Sequence, residues 1–145
     1  MRAITIQQPY ANLIAIGESR VENRYWATLH RGPLAVHAGK GSEYLLPSDR
    51  QRYPDMAWGA IVAVAELVEC VSLHLIPNLI GRHRRLQWLR GHEHVEGPIC
   101  WVLENVERLH TPVPCRGQRL LWTLPSDVAA TVAASPRDGV ERSST

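Results

Sequence analysis

One stretch limits the fold more than any other. From Trp58 and Gly59 the chain runs through Ile61, Val62, Val64, Leu67, Val68 and Val71 to about Leu73, with apolar residues in partial alternation. That pattern marks a long β-strand, and a strand of such length bends around a barrel rather than lying flat. Glu66 interrupts it, and a carboxylate there either faces solvent or lines a cavity. Shorter strands are expected at residues 3–6, 19–26, 34–37, 99–106 and 120–124. Helical spacing is confined to short pieces. Pro9 suits a helix start, Tyr10, Leu13, Ile14 and Ile16 share a face, and Gly17 closes the turn. Ser126 can cap a helix to about residue 133. There is no βαβ rhythm and no internal repeat. The pattern predicts an α+β fold: a small mixed, mostly antiparallel β-barrel with short helices plugging its ends.

The 145 residues allow one domain, expected over 1–134. Residues 135–145 lack large apolar side chains apart from Val140 and are expected to be a disordered tail. Net charge is only +2, yet every basic residue except Lys40 is arginine. Arginine forks onto phosphate and stacks on bases, which suits nucleic acid; a coding bias toward Arg and Ala accounts for it equally well. The three cysteines, Cys70, Cys100 and Cys115, form no paired spacing, which argues against a disulfide framework. No charged-then-apolar leader is evident and no apolar run is long enough for a bilayer. The expectation is a cytoplasmic protein with no membrane association and no cofactor.

Chemistry concentrates in residues 17–40, which hold Glu22, Asn23, Arg24, Trp26, Arg31, His37 and Lys40. Two strands joined through His30-Arg31-Gly32-Pro33 would make an antiparallel hairpin; with its turn around Leu29–His30, Ser19 falls roughly opposite Gly39 and beside Lys40. Lys40 would then supply an amine flanked by Glu22 and Glu66, or else be a solvated loop residue. Glu22 and Arg24, two apart, share one face of their strand: either a rim ion pair or a base-and-phosphate clamp. His37, in an apolar strand, is more simply a satisfied core histidine than a ligand. His92-Glu93-His94 is too weak a pattern to assign a metal. Segment 77–90 is a helical or loop excursion in which Arg82, Arg84, Arg85 and Arg90 lie near Trp88, either a solvated face or a phosphate-contact surface. Among the tryptophans, Trp26 and Trp58 are the better cleft candidates.

These residues carry a resemblance. Gly17-Glu-Ser19-Arg-Val-Glu22-Asn-Arg24 resembles the G-x-K-x-x-E-x-R signature of ASCH domains, in the PUA-like superfamily. Ile4–Ile14 resembles the family's opening strand and its Q-P-W/Y-A-x-L-I helix start, and Arg31–Lys40 resembles its R-G-P-L-L-I-H-A strand. Residues 59–69, 97–106 and 114–122 resemble its later strands, so the similarity spans about residues 1–124. It implies a PUA-like barrel whose cleft is lined by signature residues, and a role in binding RNA or DNA. Some small bacterial members are amidohydrolases on N4-acetylcytidine-type nucleosides, using Lys, Thr and Glu, and ribonuclease activity is also described. Here the lysine position holds Ser19, the threonine position holds Glu22, and only Glu66 fits the third role.

The expected site is therefore a nucleotide or modified-base cleft formed by Gln8, Ser19, Glu22, Arg24, Trp26, His37, Lys40 and Glu66, with Arg82, Arg84 and Arg85 steering the backbone. If the protein is an enzyme, the catalytic set is Ser19, Glu22, Lys40 and Glu66. A third reading is a protein-interaction module with a vestigial cleft.

Overall fold

The computed structural model describes residues 1–140. The elements are β1 (Arg2–Ile6), α1 (Tyr10–Ala15), β2 (Val21–Arg24), β3 (Gly32–Ala38), α2 (Asp49–Arg52), β4 (Ala60–Ser72), α3 (Ile76–Arg82), β5 (Ile99–Pro114), β6 (Leu121–Thr123), α4 (Ser126–Ala134) and β7 (Arg137–Gly139); a 3-10 turn at Leu73–Leu75 precedes α3 and another at Arg84–Leu89 follows it. The long apolar run is β4, and its main partner is β5, which runs on past the strand expected at 99–106 as far as Pro114. The sheet order is β2-β5-β4-β3-β1-β6, with β7 added on β5. Only the β1–β3 pair is parallel among the described ladders.

The sheet curls into a half-barrel because its two longest strands are out of step. Register shifts fall between Ile61 and Ala63, Val64 and Glu66, and Leu67 and Glu69. Each extra residue sharpens the local twist and bends the strand. Asn105, with φ of 50°, supplies the left-handed turn at one of them, a conformation asparagine tolerates better than most residues.

The curl makes an inner and an outer face. Ile4, Ile6, Leu34, Val36, Ala65, Leu67, Trp101 and Leu103 line the inner face, plugged by Ala11, Ile14 and Ala15 of α1. On the outer face, Val132 of α4 joins Ala3, Ala35, Ile61, Leu109 and Trp122. Beside that cluster, Ile76, Leu79, Ile80, Leu86 and Leu89 pack on Val21, Val71, Cys100 and Val102. The period-two alternation of the strands sorts side chains between these clusters.

Two expectations fail here. Segments 19–26 and 34–37 do not form a hairpin. β3 lies between β1 and β4, and β2 pairs with β5 at the sheet edge. The reason is burial: Leu34–Ala38 is buried at every position and needs a strand on each side. Glu22, Asn23 and Arg24 are polar and tolerate an edge. The expected tail does not begin at Ser135 either. Arg137–Gly139 pairs with Glu107–Leu109, Asp138 meets His110 at 2.9 Å, and Val140 packs against the inner cluster. The one large apolar residue of that segment is its anchor. It also explains the signature glycine: Gly17 has φ of +83°, and a Cβ there would stand 2.3 Å from the Val140 carbonyl oxygen. Residues 141–145, the rest of the expected tail, lie outside the described residues. No helix among the described residues is long and apolar enough to cross a membrane.

Candidate nucleic-acid interface

β1 and β3 are parallel, so their carboxyl ends emerge side by side. Gln7 follows β1, Gly39 and Lys40 follow β3, and the Gly39 amide donates to the Ile6 carbonyl at 2.9 Å. A hollow opens on each side of this double strand end. The first, about 440 Å³, is lined by Thr5, Ile6, Gln7, Tyr10, Glu22, Asn23, Arg24, Tyr25, Trp26, Tyr44, Glu96 and Gly97. The second, about 370 Å³, is lined by Thr5, Gln7, His37, Gly39, Lys40, Arg116, Gly117, Gln118 and Arg119. Thr5 and Gln7 wall both.

The first hollow is aromatic with a charged floor. Glu22 lies opposite Trp101, on the inner face of the sheet. Its carboxylate accepts from Arg24 Nη2 at 3.3 Å and from the Asn23 amide at 3.1 Å. Burial pushes the Glu22 carboxyl above the usual carboxylate range, although Arg24 and the Asn23 amide pull it down. Arg24 also donates to the Thr5 carbonyl, tying the sheet edge across to β1. Its Nε is buried without a hydrogen-bond partner among the described residues. Trp26 closes one side, its ring edge-on to Trp101 at 4.8 Å, while Trp101 Nε1 donates to the Trp26 carbonyl at 3.0 Å. Asn23 holds the opposite wall: its Oδ1 accepts from the amides of Glu96 and Gly97 at 3.0 and 2.8 Å. Tyr10 and Tyr44, with ring centroids 5.8 Å apart, form the rim and are both exposed.

The second hollow is cationic. The side chains of Lys40, Arg116 and Arg119 make no hydrogen bond or ion pair among the described residues, and all three residues are exposed. Behind them His37 is 2% exposed and fully engaged. The Trp122 indole can only donate, and it does so to Thr5 Oγ1 at 3.2 Å. The Thr5 hydroxyl is then free to donate to His37 Nδ1, also at 3.2 Å. That leaves the His37 proton on Nε2, which donates to the Cys115 carbonyl at 2.7 Å. Burial, with Lys40 nearby, lowers the His37 pKa, and the Cys115 hydrogen bond opposes this only in part. Gly117 lets the 115–119 loop close on this network; a Cβ there would fall 2.7 Å from His37 Cε1 and 2.9 Å from Thr5 Oγ1.

Of the residues expected in one cleft, the structure gathers Glu22, Arg24 and Trp26 in the first hollow, and Lys40 with His37 at the second. The others lie elsewhere. Gln8 is 0% exposed; it donates to the Ala57 carbonyl at 2.7 Å and accepts from the Asn12 amide at 2.9 Å, so it is a brace for α1. Ser19 is buried and its hydroxyl donates to the Val21 carbonyl at 3.0 Å, closing a local turn. Glu66 is on the outer face, between Val64 and Val68 of the two outer clusters, where Asn105 Nδ2 donates to it at 3.3 Å. The sheet therefore stands between Glu66 and Glu22, and Ser19, Glu22, Lys40 and Glu66 share no centre. Arg82, Arg84 and Arg85 are exposed on the layer covering the outer face, across the sheet from Glu22 and Arg24, and Arg85 is paired with Glu104 at 2.7 Å. Trp58 lines neither hollow; Arg50 stacks over it at 4.8 Å. Among the described residues no trio of His, Cys, Asp or Glu gathers to hold a metal.

Other contributors escaped the sequence. Gln7 was hidden beside Gln8, and only strand phase separates them. Arg116 and Arg119 bracket a glycine in a loop between strands, a signal that was available. Of the rim tyrosines, Tyr10 reads as part of the first helix, and Tyr44 lies where no element is expected.

A curled mixed sheet with short helices packed on it defines a small α+β half-barrel domain. The ASCH domain family model matches residues 4–112, and the chain belongs to that family. It is similar to "Activating signal cointegrator 1" of Homo sapiens, 23% identical, and of Mus musculus, 24% identical, in each case over 86% of this chain and 22% of the relative. The chain thus spans about a fifth of the length of those relatives. Among solved structures, ASCH from Zymomonas mobilis superposes with a TM-score of 0.56 at 15% identity, covering 93% of this chain and 95% of that one. A point mutant of that same protein gives 0.56 at 16% identity, covering 93% and 98%. These likenesses concern the fold.

Proposed function

We propose that the protein binds single-stranded nucleic acid, RNA or DNA, by lodging one nucleotide across the end of β1. The base enters the tyrosine-lined hollow and the phosphate rests beside Lys40, Arg116 and Arg119. One observation supports this most: two hollows of opposite character share the wall formed by Thr5 and Gln7. A nucleotide has the same order of parts, a flat ring with hydrogen-bonding edges, then a sugar, then an anion. Aromatic faces stack on bases of any identity. The Glu22 carboxylate accepts from an exocyclic or ring N–H, and the Arg24 guanidinium donates to a ring carbonyl. Arginines without counterions suit phosphate. Arg82, Arg84 and Arg85 then add field at longer range rather than contacts in the cleft.

Fluorescence anisotropy with short labelled oligonucleotides at low salt tests this. Binding should weaken at least tenfold in Arg24→Ala and in the triple variant Lys40→Ala/Arg116→Ala/Arg119→Ala. No binding by the wild-type protein would sink the reading and favour a protein-interaction module.

A further inference from the structure

We propose that Gln7 makes this site select RNA over DNA by hydrogen-bonding the ribose 2′-hydroxyl of the bound nucleotide. The inference rests on the nucleotide reading above and deepens it. If base and phosphate occupy the two hollows, the sugar lies over the wall between them, formed by Thr5 and Gln7. The Thr5 hydroxyl has no donor left: its one proton goes to His37, and it accepts from Trp122. Both nitrogens of His37 are engaged as well. Gln7 is the side chain of that wall with a donor left: its Nε2 makes no hydrogen bond among the described residues, while its Oε1 is buried on the side of Gly39 and Gly41. A ligand hydroxyl at Nε2 gives this amide a partner that the fold leaves it without.

The Gln7 amide is also held still. A Cβ at Gly39 would lie 3.0 Å from both its Oε1 and its Nε2, and a Cβ at Gly41 would lie 2.6 Å from its Oε1. The turn after β3 therefore grips the carboxamide through bare backbone. Neither glycine has a positive φ, so their value here is space rather than backbone freedom. A rigidly held amide loses little entropy on binding. The 2′-hydroxyl oxygen accepts, so it can take the Nε2 proton, and it is the group that separates RNA from DNA.

The experiment compares an oligoribonucleotide with its 2′-deoxy counterpart, uracil kept in both. Wild type should bind the ribo form about three- to tenfold more tightly, the span of one hydrogen bond. Gln7→Leu should bring the ratio of ribo to deoxy affinity to about one. Gly41→Ala, which displaces the amide while keeping it, should do the same, and adding it to Gln7→Leu should change nothing more. Equal wild-type affinity for the two sugars, or a preference that survives both substitutions, would overturn the role of Gln7 and leave the nucleotide site standing. Failure of wild type to bind either oligonucleotide would overturn the nucleotide site itself, and this inference with it.

Discussion

Two regions of the molecule are rich in arginine, and they differ in what surrounds the charge. At the end of β1, Lys40, Arg116 and Arg119 come from distant parts of the chain and converge on one hollow, next to a second hollow rimmed by tyrosines. Over the outer face, Arg82, Arg84, Arg85 and Arg90 come from one short segment and spread across a surface. There Arg85 and Arg20 flank Glu104 at 2.7 and 3.9 Å, and Arg20 stacks on Trp88 at 3.9 Å. The outer face even has the larger hollow, about 610 Å³ beside α3, but its lining holds one arginine, Arg82, opposed by Glu69, and no aromatic ring. Density of charge along a sequence is therefore a poor guide to a site. Convergence of charge with a flat apolar surface is a better one, because a nucleotide needs both.

The sharpest test of that contrast is Arg24→Ala. It removes the donor to the Thr5 carbonyl and leaves the Glu22 carboxylate, 13% exposed, without its cation. Unfolding stability should fall by about 2 kcal/mol, and Glu22→Gln added to it should recover part of the loss. Chemical denaturation of the three proteins measures this; no recovery would mean that the stranded carboxylate is not the cause. Next in size is the salt response. The triple alanine variant of Lys40, Arg116 and Arg119 should lower the slope of log affinity against log salt by about 0.7, the share of the one phosphate that these cations hold on a single strand. The matching triple variant of Arg82, Arg84 and Arg85 should lower it by less than half as much. Equal changes would erase the distinction between the two regions.

The smallest expected effect concerns pH. His37 titrates below its ordinary value near 6.5, so over that range the unfolded chain binds the proton more readily than the folded one. Its contribution to stability is complete above about 6.5 and is lost as pH falls from there toward the lowered value. His37→Gln should flatten the pH dependence of the thermal midpoint over that window. An unchanged slope would show that His37 does not titrate in the manner its hydrogen bonds require. Glu22 works in the opposite sense: its raised value makes the folded state the better proton acceptor, so its contribution grows as pH falls toward 4.5.

Much of the fold was legible in the residues. The run at 58–73 is a long bent strand, the short helix after Pro9 ends before Gly17, and the motifs in order gave the family. The pairing of Glu22 with Arg24 on one strand face was legible too, since it needs only a period of two. The partners of that strand were not. A hairpin is the local solution, and burial of β3 on both faces overrode it, moving Lys40 away from Ser19. Gln7 and Gln8 show the same limit at its smallest scale. They differ by one step along the chain, yet Gln8 is sealed beneath α1 and Gln7 stands at the wall of both hollows.

The chain by itself decided the elements, the apolar faces and the family, because those follow from local periodicity and motif order. Only the tertiary structure decided which polar side chains meet. That depends on strand order and register between segments dozens of residues apart, and a shift of one residue sends a side chain to the other side of the sheet.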